Sequence, residues 1–202
     1  MVAEIIRLNG DYQIVGFLDD VTVRFHDAER YGATILGGRE RLDSLRRGGV
    51  RHVILGFGHC AARLRMSEVA RASGFTLVTA IHPKAIVSTD ATIGAGSVVT
   101  AGAVINPGVE IGENAIVNTS ASVDHDCSID DGTHVGPGAR LAGRVVVGRA
   151  AWIGIGAVVI ERVKIGANAL IGAGSVVVDD IPEGVVAYGN PARVVRKVED
   201  VD

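Results

Sequence analysis

A parallel β-helix preceded by a small α/β domain is the fold this sequence predicts, on three observations. From residue 81 to residue 177 every sixth residue is Ile, Val or Leu, beginning Ile81, Val87, Ile93 and ending Ile165, Ile171, Val177. Two residues before most of these positions stands a small side chain, as at Ala91, Ser97, Ala103, Ala115, Ala121, Thr133 and Ala139. Gly or Asn often follows the aliphatic residue, as at Gly94, Asn106, Gly112, Asn118, Gly136 and Gly154. A period of 3.6 marks a helix and strict alternation marks a half-buried strand. A period of six fits neither, and is a repeat signature of the parallel β-helix. Three units make one triangular coil, with the large aliphatics pointing inward and the Gly and Asn residues supplying turn conformations. The run has room for a little over five coils, each stable only when stacked on its neighbours.

The elements follow in order. Residues 2–8 form an apolar-rich helix candidate that Asn9-Gly10-Asp11 breaks. Residues 12–18 (YQIVGFL) predict a buried strand ending in Asp19-Asp20, and residues 21–31 a loop. Residues 34–36 with Gly37-Gly38 predict a second short strand or turn, and residues 39–47 a helix. Residues 51–55 predict a strand, residues 59–73 a helix and residues 75–81 (FTLVTAI) a further strand. Strands alternating with helices give a small Rossmann-like α/β domain over residues 1–80. His82-Pro83 hands over to the repeat, so the β-helix is expected over 81–182. Residues 183–193 predict a loop and residues 194–198 a weak strand, so 183–202 would cap the open stack.

Composition narrows the function classes. A net charge of −3 argues against a general nucleic-acid binder. No uninterrupted apolar stretch is long enough to span a membrane, and the start carries no signal-peptide pattern. Cys60 and Cys127 make no disulfide framework, and a cytoplasmic protein with free thiols is expected.

The chemistry concentrates in residues 118–134, NTSASVDHDCSIDDGTH, where the inward register holds but the outward positions are unusually polar. His125 can take a proton from an attacking amine or hydroxyl near neutral pH. Asp126 beside it can fix the tautomer, with Asp124 the rival. Backbone N–H groups near Gly136 or Gly143 are candidate donors to a developing oxyanion. His134 lies half a coil from His125, so it should not stack directly on His125 within one chain, though the two could meet across a subunit interface. Trp152 should stack on His134 one coil later, and Cys127 fills a small inward slot. His82, His125 and His134 gathered across subunits as a zinc site have no support from spacing, and no metal is expected. Gly56-Phe57-Gly58-His59 is a weak match to a phosphate loop. Arg193 and Lys197 could meet cofactor phosphates or be ordinary surface charge.

With these residues in view the chain resembles the hexapeptide-repeat acyltransferases. Within them it resembles the sialic acid O-acetyltransferase and bacillosamine or perosamine N-acetyltransferase group. The resemblance rests on IVGFLDD ending at Asp20, the HP junction, the Asn118 to Asp126 stretch, His134-Val135-Gly136-Pro137, LAG ending at Gly143, and IGAGSVVVDDIP followed by GNPA. It implies a left-handed β-helix, a homotrimer with active sites between neighbouring subunits, and acetyl-CoA as donor. It implies His125 as general base with Asp126 as its partner, His134 near the acetyl group, and backbone contacts to the cofactor from Gly143 and Ala173. It places Asn118 at the sugar and Asp19 and Asp20 at the nucleotide of a nucleotide-sugar substrate. N-acetylation of an amino sugar, O-acetylation and an inactive β-helical scaffold all remain open at this point. Members of the group usually open with a strand and a loop like GAGGHG ahead of the helix; here Met1 stands inside that helix. The expectation is an internal GTG start with that segment encoded upstream, and a weakened grip on nucleotide in its absence.

Overall fold

The computed structural model describes residues 1–21 and 29–198. Its centre is a left-handed parallel β-helix whose three faces are sheets of eight, six and five strands. Strands one coil apart pair in parallel: Ile116–Val117 on His134–Val135, and His134–Val135 on Trp152–Ile153. In each two-residue strand the first side chain points outward and the second inward. Val99, Val117, Val135, Ile153 and Ile171 form one such inward column, each 0% exposed. The small residues of the repeat are buried beside them, Ala121 and Ala151 among others.

The corners correct one expectation. The glycines directly after the inward aliphatics are not the ones that turn the chain. The left-handed residues stand two positions further on, at Gly96, Gly102, Gly108, Asn114, Ser120, Asp126 and onward every six residues. The earlier glycines answer to close approach instead: a Cβ on Gly154 would lie 2.6 Å from the backbone nitrogen of Ala173 in the next coil.

The N-terminal region packs on the eight-stranded face. Helix α1 (Val2–Asn9) buries Ile5 and Ile6 against Ala80, Val98 and Ile116, and Gly10 ends it in a left-handed cap. Strands β1 (Glu29–Arg30) and β2 (Ala33–Thr34) form an antiparallel pair, so part of the expected loop over 21–31 is strand. Residues 22–28 of that loop lie outside the described residues. A 3-10 turn (Arg39–Arg41) leads into α2 (Leu42–Arg47). Strand β3 (His52–Val53), helix α3 (Cys60–Ala72) and strand β4 (Thr76–Leu77) follow, with β3 and β4 parallel.

Three further expectations change. Residues 12–18 are not a buried strand: Phe17 makes a single bridge to Ile35, and Val15 is 57% exposed. The backbone of this segment bonds to one side: Phe17 and Asp19 donate to the carbonyls of Thr34 and Gly37, and the Phe17 carbonyl accepts from Leu36. Residues 75–81 are two strands, because β4 pairs with β3 while Ala80–Ile81 already pairs with Val98–Val99 of the β-helix. Residues 183–193 are not a loop. Val185–Gly189 and Ala192–Lys197 form an antiparallel hairpin turned at the cis Asn190-Pro191 bond, laid under Leu170–Ile171.

Candidate active site

His125 stands at the corner between the six- and five-stranded sheets, immediately before a left-handed residue, Asp126, with φ of 59°. Asp tolerates that conformation better than most residues. The turn brings Asp126 Oδ2 to 3.0 Å from His125 Nδ1. One coil on, Arg144 Nε lies 3.5 Å from the same oxygen. The hydrogen bond from His125, with the charges of His125 and Arg144, holds the Asp126 carboxyl below the usual carboxylate range. One coil earlier is Gly108, where a Cβ would come within 2.7 Å of Asp126 Oδ1. The backbone of His125 is clamped as well: its N–H donates to Asp124 Oδ1 at 2.8 Å, and Asn106 Nδ2 donates to the same oxygen at 2.9 Å.

With Nδ1 turned to Asp126, the other ring nitrogen faces Gly143. A Cβ on Gly143 would lie 2.5 Å from His125 Nε2. The missing side chain therefore lets the ring lie close against the next coil. The His125 side chain is about half exposed, so that nitrogen is reachable from outside the coil.

A second cluster lies on the eight-stranded face. His134 is 6% exposed and its ring packs on Trp152, centroids 4.3 Å apart. Asn118 Nδ2 lies 3.0 Å from His134 Nε2, while Asn118 Oδ1 accepts from the Thr119 N–H at 2.8 Å. With its oxygen so occupied the amide donates through Nδ2, and His134 Nε2 is the acceptor. His134 Nδ1 makes no hydrogen bond of good geometry; the Gly58 carbonyl near it accepts from Arg63 Nη1 at 2.7 Å. Burial first, then the Arg63 charge, pushes the His134 pKa down to about 4, with the Gly58 carbonyl a partial offset. His134 is therefore a neutral, buried, hydrogen-bonded ring at pH 7, whereas His125 is an open one.

The two clusters do not meet within the chain. The six-stranded face, with outward Ser122, Arg140 and Val158, separates the Asn118 corner from the His125 corner. Ala173 is exposed at the same edge as Asn118, not beside Gly143. Asp19 and Asp20 lie far back in the N-terminal region. Asp19 Oδ1 accepts from the Val21 N–H at 2.8 Å, and Asp20 Oδ1 accepts from the Arg39 N–H at 2.6 Å. Asp20 borders a cavity of about 490 Å³ with Arg39, Glu40, Asp43 and Ser73. Cys127 Sγ donates to the Ala142 carbonyl at 3.1 Å, and burial raises its pKa, which disfavours a thiolate. Among the described residues no group of three or more His, Cys, Asp or Glu could hold a metal ion, and no helix is long and apolar enough to cross a membrane.

Sequence reasoning missed Arg63 and Arg144. Arg144 carries a usable signal, since it stands eighteen positions after Asp126 and so one coil along. Arg63 carries none, because nothing in a helical spacing tells which carbonyls its side chain will reach.

The chain matches the PglD N-terminal domain model over residues 1–70 and the bacterial transferase hexapeptide (six repeats) model over residues 144–179. No curated protein sequence matches it. Several solved structures do. PerB from Caulobacter crescentus, in complex with CoA and GDP-perosamine, is 40% identical over 96% of this chain and 90% of that one, with a TM-score of 0.90. The acetyltransferase domain of PglB from Neisseria gonorrhoeae, in complex with acetyl coenzyme A, is 39% identical over 96% and 92%, with a TM-score of 0.89. WeeI from Acinetobacter baumannii is 25% identical over 96% and 93%, with a TM-score of 0.87. The Caulobacter protein, described as a perosamine N-acetyltransferase, has also been solved with one histidine replaced by Asn and by Ala.

Proposed function

The chain belongs to the hexapeptide-repeat acyltransferases, close to those that N-acetylate nucleotide-linked sugars, and from that premise we propose that His125 is its general base. The protein is an acetyl-CoA-dependent N-acetyltransferase acting on an amino group of a nucleotide-linked sugar. The observation that carries the assignment of the base is the contrast between its two histidines. His125 presents Nε2 over a glycine with Nδ1 held by Asp126, while His134 Nε2 already accepts from Asn118 in a buried setting.

In this reading the sugar amine attacks the thioester carbonyl and His125 Nε2 takes the proton that the amine loses. Asp126 accepts from Nδ1–H, keeps that tautomer and stabilises the imidazolium as it forms. In the proposed mechanism the Gly143 N–H donates to the carbonyl oxygen as it gains charge. The CoA thiolate leaves. Gly143 and Ala173 offer backbone contacts to acetyl-CoA, His134 and Asn118 bound the acetyl and sugar side, and Asp19 and Asp20 serve the nucleotide.

The assembly proposed is a homotrimer. The outward residues of the six-stranded face support it, since Ile86 is 67% and Val158 39% exposed. A neighbouring copy on that face would bring its Asn118–His134 corner to the His125 corner of the first. The cytoplasm is the proposed location, where acetyl-CoA is at hand.

The test is thiol release from acetyl-CoA with GDP-perosamine and a set of UDP-linked amino sugars. His125→Ala is expected to lower kcat about 100-fold or more with no change in melting temperature, and Gly143→Ala to lower it by displacing the ring. A His125→Ala protein as fast as the parent would sink the assignment of the base.

A further inference from the structure

Among the described residues Arg63 is the largest fully buried side chain, 0% exposed, and its hydrogen bonds go to none of the residues assigned to proton transfer. Its guanidinium is divided between two parts of the fold. Nη1 donates to the carbonyls of Phe57 and Gly58, at 3.1 and 2.7 Å, in the loop that precedes α3. Nε donates to the Asn114 carbonyl at 2.8 Å, and Nη2 to the Gly132 carbonyl at 2.7 Å with the Thr133 carbonyl at 3.4 Å. The remaining contact is the Cys60 sulfur, and among the described residues no carboxylate accepts from it. Gly132 and Thr133 are the two residues that lead into His134. Gly58 lies over the rings of His134 and Trp152; a Cβ there would meet both at 3.5 Å.

We infer that Arg63 is a positioning residue for acetyl transfer, latching the Gly56–His59 loop onto the coil that bears His134 and so holding the Asn118–His134 pair in place. The planar fork suits this task. Its donors point in three fixed directions and reach carbonyls of three separate segments, which a lysine ammonium on a flexible stem cannot do. The arrangement gives Arg63 an electrostatic role as well. Among the described residues its charge has only neutral acceptors, and it adds to burial in keeping His134 unprotonated. The other groups packed on His134 are neutral: Asn118, Trp152, and Cys60, whose thiol burial keeps protonated. A neutral His134 can accept from Asn118 through Nε2; a protonated one cannot, and Asn118 would turn.

The inference rests on the acetyltransfer reading for its kinetic arm alone. Arg63→Lys keeps the charge and loses the fork, and Arg63→Met loses both. Each full-length variant is assayed with acetyl-CoA and GDP-perosamine, and its His134 ring resonance is followed by NMR against pH. Arg63→Lys is expected to lose at least tenfold in kcat while His134 still titrates well below 6.5. Arg63→Met is expected to lose at least as much, with the His134 titration moved upward. Gly58→Val, which leaves the Arg63 side chain in place and sets two branch methyls against the two rings, is expected to displace the loop and reproduce the kcat loss. Parent-like kcat in Arg63→Lys and Gly58→Val overturns the latch. The parent alone is also decisive: a His134 that titrates near 6.5 overturns the buried, roofed pair. A parent inactive on every amino sugar with a low-titrating His134 counts against the acetyltransfer reading and leaves the latch standing.

Discussion

Two histidines nine residues apart in the sequence have opposite physical characters. His125 sits at an open corner, where an acidic neighbour and a bare glycine present one nitrogen to the outside. His134 sits on a sheet face under a loop, where burial and a buried cation oppose its charge. The second arrangement has a pH signature. A histidine held at about 4, against 6.5 ordinarily, protonates later in the folded chain than in the unfolded one. As pH falls from 6.5 toward 4 the unfolded state binds the proton first, so this stabilisation is present above that window and lost across it. A shift of that size corresponds to on the order of 3 kcal/mol. Urea midpoints measured on either side of the window are expected to fall more for the parent than for His134→Gln. Equal falls would mean that His134 titrates normally. At this scale the sequence singled out the polar residues of the candidate site, because a polar run inside an unbroken aliphatic register is conspicuous. It could not separate exposed from roofed, since the roof comes from Gly58, seventy-six positions upstream of His134.

At the scale of elements, a coil is a ring of three short strands whose inward residues meet only the coils above and below. Ile153 lies between Val135 and Ile171 with no exposure. Ile153→Ala is expected to cost about 3–4 kcal/mol, by lost transfer energy and an unfilled cavity. Val146, outward on the five-stranded face and 40% exposed, is expected to cost under about 1 kcal/mol on the same replacement. Urea titration of the two variants checks the contrast, and similar losses would contradict the inward–outward register. The repeat was legible because every coil obeys the same spatial rule. The α/β segments were less so. Residues 12–18 look like a buried strand by composition, yet burial depends on partners that spacing does not reveal. Residues 75–81 read as one apolar strand because both halves are buried, although each half pairs with a different sheet.

At the scale of the molecule, the site is divided by one face of the prism. Asn118 and His134 lie on one side of it and His125 with Asp126 on the other. The proposed trimer joins them across copies, so assembly and activity should fail together. Val158→Glu, which places a charge on the six-stranded face, is expected to lower the sedimenting mass by about threefold and abolish thiol release. A fully active monomer would sink the shared-site reading. The expectation of a trimer comes only from the resemblance, since a single chain's periodicity says nothing of its neighbours.

The reversed strand beneath the last coil bears on how such molecules behave in company. Each coil is a template for the next, with the same period, the same strand direction and matching inward residues. A bare last coil would therefore accept the bare coil of any other copy. Strand Ala192–Lys197 runs against that direction and carries Arg193, Arg196 and Lys197 along its length. A parallel newcomer finds there neither a matching direction nor a neutral edge. On its eight-stranded face the stack is thus closed by its own chain, which disfavours growth of copies end to end into a rod.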